Sequence, residues 1–150
     1  MSSDEIVRTN VNNLDAFDFG TTAATAAPPL RGARVAIVTT AGLRADGSGT
    51  WSEGQGFVSL DARSRDVTLA HFSINFDRSG LMADLNVAYP ADRLEELARD
   101  GTIGSVATNH LSFMGAQTDH TLTTLRLDTG PAAARQLLDD GVDVVLLTPV

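Results

Sequence analysis

The sequence predicts an α/β fold: a Rossmann-like or flavodoxin-like three-layer domain with a mainly parallel sheet. Two observations predict it. Short, almost continuously apolar runs, such as residues 34–40 and 142–147, have the composition of strands buried on both faces. These runs alternate with amphipathic segments in the order β–β–α–β–α–β. Such alternation favours parallel strands joined by right-handed crossovers.

Four strands are predicted. They cover residues 34–40, 66–70, 103–108 and 142–147, and the last has the composition of a fully buried strand. The glycine-rich stretch 43–56 is expected to be a long surface loop, or a loop around a short hairpin. Its glycines match no phosphate-binding fingerprint. Trp51 in this stretch is either a lid residue or a packed corner.

Two helical regions separate the later strands. Residues 90–99 form the clearer helix, because Pro90 suits the first helical position and Gly101 suits the C-terminal cap. A second helical region runs from about residue 119 to 140. Gly130-Pro131 interrupts or kinks it, since proline lacks the N–H that the helix needs.

Composition divides the chain into a flexible N-terminal arm, residues 1–30, and an α/β domain, residues 31–150. The arm is rich in Ser, Thr, Asn and Ala, as linkers are. Phe17 and Phe19 alternate with acidic residues within it. The arm is either simply disordered, or it docks these two aromatic side chains on a neighbouring subunit.

Charge and residue counts exclude several classes of protein. The net charge of −8, with eleven Arg and no Lys, argues against nucleic-acid binding. No run of 18 apolar residues is present, so no membrane span is expected, and the acidic start is unlike a signal peptide. We therefore expect a cytoplasmic protein. The absence of cysteine removes thiolate nucleophiles and Cys-based zinc sites, and the three His residues have no metal-binding spacing.

Polar side chains gather where the predicted strands end. The carboxyl ends of parallel strands share one edge of a sheet, and ligands bind there. The residues at this predicted rim are Thr39, Thr40, His71, Asn109, His110 and Thr148. His71 and His110 are the predicted acid–base groups, because histidine titrates near neutral pH. The alternative for each is an ordinary structural histidine.

The predicted substrate-binding residues are Thr39, Thr40, Asp84, Asn86, Met114, Gly115 and Thr148. Asp84 and Asn86 flank one apolar residue, so in an extended segment both side chains would face the same way. A turn-forming pair explains them equally. Packing at the rim is the simpler explanation of Met114 and Gly115.

Several segments together hold the order and spacing of a known family from about residue 32 to the end. They are 35–42, His71 with Asp77, 84–86, 89–94, 101–107, His110 with 113–115, 129–133 and 139–148. No single segment is decisive, but the ordered set is specific. The sequence resembles the selenoprotein B family of glycine, sarcosine, betaine and D-proline reductases, and within it the selenoprotein subunit of D-proline reductase.

The resemblance implies an oxidoreductase with a disulfide as acceptor, which cleaves a small amino-acid-like substrate reductively. It implies a selenocysteine or cysteine beyond Val150, in the loop after the last strand, and a pyruvoyl group on a partner subunit; this chain itself would carry no cofactor. His71 and His110 would be acid–base or substrate-orienting groups. A low-pKa nucleophile at a strand end beside histidines is a sound chemical arrangement.

The sequence departs from the family pattern at Val150, immediately before the expected selenocysteine or cysteine. Three explanations stay open: a UGA codon read as stop, a split or cleaved product, or a non-redox relative. The chain is then a subunit or N-terminal portion of a reductase, or a non-catalytic small-ligand-binding or assembly subunit. If the sheet is incomplete at its C-terminus, the last strand is an exposed apolar edge. We therefore expect a homo-oligomer, or a complex with a partner reductase subunit.

Overall fold

The computed structural model describes residues 2–13, 20, 25–45, 51, 56–74, 76–117 and 119–150. Its strands are β1 (Arg34–Thr39), β2 (Leu43–Ala45), β3 (Phe57–Asp61), β4 (Val67–Leu69), β5 (Ser105–Val106), β6 (Asn109–Phe113) and β7 (Val144–Thr148). In the five-stranded main sheet, β1 pairs in parallel with β5, β6 and β7, and β3 pairs antiparallel with β6. Strands β2 and β4 form a separate antiparallel pair. The predicted α/β class with a mainly parallel sheet is therefore confirmed.

Both helical regions that the sequence predicts are helical in the structure, and two further helices lie outside them. The helices are α1 (Ser3–Asn12), α2 (Ser79–Ala83), α3 (Ala91–Arg99), α4 (Asp119–Thr124) and α5 (Gly130–Asp139), with 3₁₀ turns at Leu30–Gly32 and Leu85–Val87. A π-helical turn, Leu125–Thr129, joins α4 to α5 just before Pro131. A proline ring clashes with the carbonyl four residues earlier in a regular α-helix, and a wider turn relieves that clash.

Helices cover both faces of β1, which gives three layers. On one face, Val35 and Ile37 pack with Leu94 of α3. On the other face, Ala36 packs with Leu137 of α5. Alternate residues of a strand point to opposite faces, so a nearly continuous apolar run is what this position requires. The finer assignment to a Rossmann-like or flavodoxin-like fold stays a prediction.

The third predicted strand, residues 103–108, is corrected by the structure. The regular pairing there is limited to β5, and after a break at residues 107–108 the chain forms β6. Asp140, just past α5, holds this break: its carboxylate accepts hydrogen bonds from the backbone N–H groups of Thr108 and Asn109, at 2.8 and 3.3 Å. The sequence pattern carries no sign of a carboxylate that comes from 31 residues later.

The last strand was expected to be fully buried, and this is wrong. Within the described part of the chain, β7 pairs only with β1, so its other edge is open. Leu147 is 68% exposed, and Val145 and Leu146 are 37% and 38% exposed. The strand therefore matches the alternative expectation of an exposed apolar edge.

Strand β3 was not predicted, and the arm was only partly described by its composition. The alternation of Val58 and Leu60 with exposed Ser59 and Asp61 is too short a signal to stand out after a glycine-rich stretch. Helix α1 lies within residues 1–30, and the predicted docking residues Phe17 and Phe19 lie outside the described residues. The boundary at residue 30 stays a prediction. Among the helices described, none has the length and apolarity needed to cross a membrane.

Candidate functional site

The carboxyl ends of β1, β6 and β7 meet around Gly115, at one edge of the main sheet. A Cβ atom on Gly115 would lie 2.9 Å from the carbonyl oxygen of Thr40, 3.1 Å from Nε2 of His71 and 3.4 Å from the carbonyl oxygen of Val150. The ends of two strands and one imidazole therefore converge within the reach of a single side chain. A side chain at position 115 would collide with these atoms, so only glycine permits this close approach.

His71 reaches this edge from the end of β4, and tight packing holds it there. Its ring stacks on Phe76, with centroids 4.1 Å apart, and the residue is buried. Gly42 makes the close approach possible: it has a φ of +64°, and a Cβ there would lie 3.1 Å from Cα of His71 and 3.2 Å from Sδ of Met114. The structure thus brings His71, Met114 and Gly115 together, as members of one cluster at the rim.

Hydrogen bonding defines which nitrogen of His71 carries the proton. The backbone N–H of Ser73 donates to Nδ1 at 3.3 Å, so Nδ1 is unprotonated and Nε2 carries the hydrogen. Burial lowers the pKa of His71 below its ordinary value, and the nearby Arg78 guanidinium lowers it further. That guanidinium also donates to the His71 carbonyl oxygen at 2.7 Å. The imidazole is therefore neutral at pH 7, with its Nε2–H beside Gly115.

The three predicted threonines lie at the same edge, and their hydroxyl groups bind backbone. The backbone N–H of Val150 donates to Oγ1 of Thr40 at 2.9 Å. Oγ1 of Thr39 donates to the carbonyl of Thr148 at 3.3 Å, and Oγ1 of Thr148 donates to the carbonyl of Ala88 at 2.8 Å. These bonds fix the ends of β1 and β7 relative to each other. Direct contact of the threonines with a substrate stays a prediction.

His110 lies inside β6 rather than after a strand, which corrects its predicted position. It is fully buried, and its Nδ1 accepts a hydrogen bond from the backbone N–H of Ile37 at 3.1 Å. Among the described residues, neither its Nε2 nor the hydroxyl of Tyr89, whose ring lies edge-on to the imidazole at 5.5 Å, has a hydrogen-bond partner. Burial, reinforced by Arg65, lowers the pKa of His110 to about 4. Because β6 continues to Phe113, His110 lies roughly 10 Å along the strand from its end.

Asp84 and Asn86 form a turn, and the extended segment assumed for them is corrected. Asp84 caps the 3₁₀ turn Leu85–Val87, accepting from the backbone N–H of Asn86 at 2.9 Å. The Asn86 amide also donates to the carboxylates of Asp84 and Asp92, at 3.0 and 3.1 Å. The backbone N–H of Asn86, followed by its side chain, lowers the pKa of Asp84. The turn-forming alternative describes this geometry, and a role in substrate binding stays a prediction.

Two aromatic residues, Trp51 and Phe76, support the position of His71, and the sequence does not predict their contacts. Trp51 is buried, and its indole N–H donates to the Gly42 carbonyl at 2.8 Å, so the packed-corner alternative fits it. Phe76 stacks on His71 from five residues away, a spacing that no periodic pattern signals. Among the described residues, no cluster of three or more His, Asp or Glu side chains could hold a metal ion.

Comparison with known proteins adds independent information. A family model described as "Glycine/sarcosine/betaine reductase selenoprotein B" matches residues 12–150. The chain is 32% identical over 123 residues to D-proline reductase subunit gamma of Acetoanaerobium sticklandii, a match covering 79% of this chain and 49% of that protein. It is 30% identical over 124 residues to sarcosine reductase complex component B subunit beta of Peptoclostridium acidaminophilum, covering 77% of this chain and 27% of that protein.

The two relatives are longer than the match. The chain spans about half the length of the first relative and about a quarter of the second. No solved structure matches the chain significantly. The rim therefore has no homologous structure with which its geometry can be compared.

Proposed function

The chain belongs to the glycine, sarcosine and betaine reductase selenoprotein B family, and on that premise we propose that it is a subunit or N-terminal portion of a reductase. The reaction is the reductive cleavage of a small amino-acid-like substrate, in which a dithiol is oxidised to a disulfide. Both relatives are named as subunits of reductases, D-proline reductase in one case and a sarcosine reductase complex in the other. Their names support the class of reaction, while the substrate of this protein stays open.

The observation that carries the proposal is the position of His71. Its protonated Nε2 lies at the carboxyl edge of the sheet, beside Gly115 and the backbone that follows β7. A neutral imidazole can donate a hydrogen bond through Nε2 to an anionic nucleophile. His71 therefore serves as the hydrogen-bond donor and orienting group of the proposed site.

The redox nucleophile comes from outside these 150 residues, which contain no cysteine. The family resemblance implies a selenol or thiol after β7, which supplies the electrons when it and a second thiol are oxidised to a bond between their selenium or sulfur atoms. Following the end of β7, it would lie beside the backbone at Gly115 and the Nε2–H of His71. Thr40 and Thr148 hold the strand ends at this position.

His110 takes a positioning role in this proposal. Its Nδ1 is occupied by Ile37, and its side chain is sealed inside the core with a pKa of about 4. A group that acts on substrate needs access to it. His110 is closed inside β6, so that task falls to His71 at the rim, and His110 is a support for β1 and β6.

The alternative candidate is a non-catalytic small-ligand-binding or assembly subunit. The open edge of β7 favours it, because an exposed aliphatic strand is suited to contact with another chain. A cytoplasmic location, and assembly as a homo-oligomer or with a partner reductase subunit, belong to either proposal.

Reconstitution distinguishes the two candidates. The chain is purified together with its native partner subunits, and the formation of a primary amine from D-proline or sarcosine is measured with a dithiol as reductant. We expect turnover, and a loss on the order of 100-fold in kcat for His71→Ala, which removes the Nε2–H donor. Gly32→Ala is the control, because no described residue lies within 4 Å of a Cβ there. Substrate binding without turnover would favour the binding subunit, and full activity of His71→Ala would contradict the role of His71.

A further inference from the structure

We propose that the open edge of β7 is the docking site for a parallel strand from the polypeptide corresponding to the part of D-proline reductase subunit gamma outside the match. The inference rests on the proposed function only for the choice of partner. The surface itself, which we call the β7 edge, consists of Val145, Leu146 and Leu147 with the outward backbone of the strand.

The β7 edge belongs to a well-formed strand. Five residue pairs, from Val35 with Val144 to Thr39 with Thr148, join β7 to β1. The carboxylate of Asp143 accepts from the backbone N–H of Arg34 at 2.8 Å, and this bond secures the start of β7. The edge is therefore held straight and ready to pair, with its unpaired backbone groups aligned in a row.

The side chains of the β7 edge are those of an interior strand. Val145 and Leu147 lie beside Ala36 and Val38 on the face of α5, while Leu146 lies beside Ile37 on the opposite face. Aliphatic residues on both faces are typical of a strand inside a parallel sheet. Natural edge strands are protected by charges, proline or a bulge, and β7 has none of these between Val144 and Thr148.

The surface beside the edge continues the apolar character. Oγ1 of Thr148 binds the carbonyl of Ala88, which places the 3₁₀ turn Leu85–Val87 next to the end of β7. Val87 on this turn is 62% exposed. A docked unit would therefore cover Leu146 and Val87 on one face, together with Leu147 on the other.

A strand from the uncovered part of the relative fits this edge better than a second copy of the chain. All three strands that pair with β1 run parallel to it, and parallel strands are normally covered on both faces by helices of the same units. About half of D-proline reductase subunit gamma lies outside the match, which is ample for a further strand–helix unit of about 30 residues. A second copy related by a two-fold axis would instead place an antiparallel strand on β7.

Binding in trans tests the inference. The probe is the longest continuous stretch of D-proline reductase subunit gamma outside the match, expressed as a separate polypeptide and titrated into this chain by calorimetry. We expect a one-to-one complex, with new hydrogen-exchange protection at the backbone amides of β7. Leu147→Lys should weaken binding at least about tenfold, because a charge on an edge strand opposes pairing. Leu127→Lys is the matched control: Leu127 is 65% exposed, and it lies in the π turn whose Thr129 packs near Gly56, beside β3.

The outcomes separate this inference from the proposed function. No binding, or equal affinity for Leu147→Lys and Leu127→Lys, would overturn the docking site even if a reconstituted reductase is active. A complex that protects β7, together with no turnover in the reconstitution with native partner subunits, would leave the docking site standing and count against the reductase. Self-association of the chain that Leu147→Lys abolishes would assign the edge to a second copy and overturn the choice of partner.

Discussion

The imidazole of His110 accepts a hydrogen bond at Nδ1 from the backbone N–H of Ile37, 3.1 Å away. β1 pairs with β5 at Arg34 and Val35, and with β6 at Val38 and Thr39, so Ile37 lies between the two paired regions. The side chain thus takes the place of the missing backbone acceptor. An unpaired N–H in the core would cost about 1–3 kcal/mol, and His110 prevents this.

The first prediction follows from the low pKa of this buried histidine. The pKa of His110 is about 4 in the folded protein, against an ordinary value of 6.5. Above pH 6.5 both states are neutral at this position, and the stabilisation is complete. As the pH falls from 6.5 towards 4, the unfolded chain binds a proton that the folded one does not, so stability is lost, on the order of 3 kcal/mol in total.

Replacement of His110 by Asn isolates this effect. The Asn carbonyl oxygen can occupy the place of Nδ1 and accept from Ile37, but it does not titrate. We expect His110→Asn to be less stable at pH 7, through the smaller side chain, and to lose part of the decline between pH 6.5 and 4. Urea unfolding across this range measures both. An unchanged pH dependence in His110→Asn would mean that other groups cause the decline.

The second prediction concerns Asp140, which holds the break between β5 and β6. Its carboxylate accepts from the N–H of Thr108 and of Asn109, and it bonds the Arg34 guanidinium at 2.7 Å. Asp140→Asn replaces one acceptor oxygen by a donor, so we expect a loss of about 1–3 kcal/mol in the free energy of unfolding.

Asp140 is an acid and His110 is a base, but the stabilisation that each contributes is lost as the pH falls. Burial raises the pKa of this carboxyl, but the bonds to Thr108 and Arg34 outweigh burial and lower it below its ordinary value. Its stabilisation is therefore present above about pH 4 and is lost as the pH falls further. The neighbouring Asp139→Asn, at an exposed position, is the control for thermal and urea unfolding. Equal stability of the two variants would show that Asp140 does not hold the break.

The fold could be predicted from the sequence where one element carries its own signal. The apolar run that became β1, and the helix that became α3 between Pro90 and Gly101, are both confirmed. Local patterns specify these elements because their burial and caps come from residues nearby in the chain. The break before His110 depends on Asp140, which lies far along the chain. No local pattern signals this contact, so the sequence misplaces the third strand and His110.

The candidate site was foreseen in part for the same reason. The idea that His71, Gly115 and the threonines share the edge of the sheet follows from the rule that parallel strands end together, and these residues do lie together. The turn at Asp84 could be foreseen only as an alternative, since an Asp two residues before Asn fits both a turn and a strand. The stacking of Phe76 on His71 is a tertiary contact without a sequence pattern.

The third prediction tests the close packing around Gly115. Alanine at this position would place Cβ 2.9 Å from the Thr40 carbonyl and 3.1 Å from Nε2 of His71, so the imidazole or the end of β1 must move. We expect Gly115→Ala to cost about 1–3 kcal/mol of stability, as overpacking does, and to reduce the activity of the reconstituted complex. Gly32→Ala is the control, because nothing lies within 4 Å of a Cβ there. Wild-type stability and activity in Gly115→Ala would show that the space is not tightly bounded.

The fourth prediction concerns the protonation of His71. Burial is the main cause of its lowered pKa, and the positive charge of Arg78 is the second. Arg78→Met removes the charge, so the pKa of His71 should rise but stay below 6.5, because the ring is still buried. Arg78→Lys keeps the charge and loses the forked hydrogen bonds to the His71 and Ser73 carbonyls, so it separates the electrostatic effect from loop packing. NMR titration of the imidazole protons measures the pKa in all three proteins. A pKa of His71 at or above 6.5 in the unmodified protein, or a pKa unchanged by Arg78→Met, would contradict a neutral imidazole tuned by burial and Arg78.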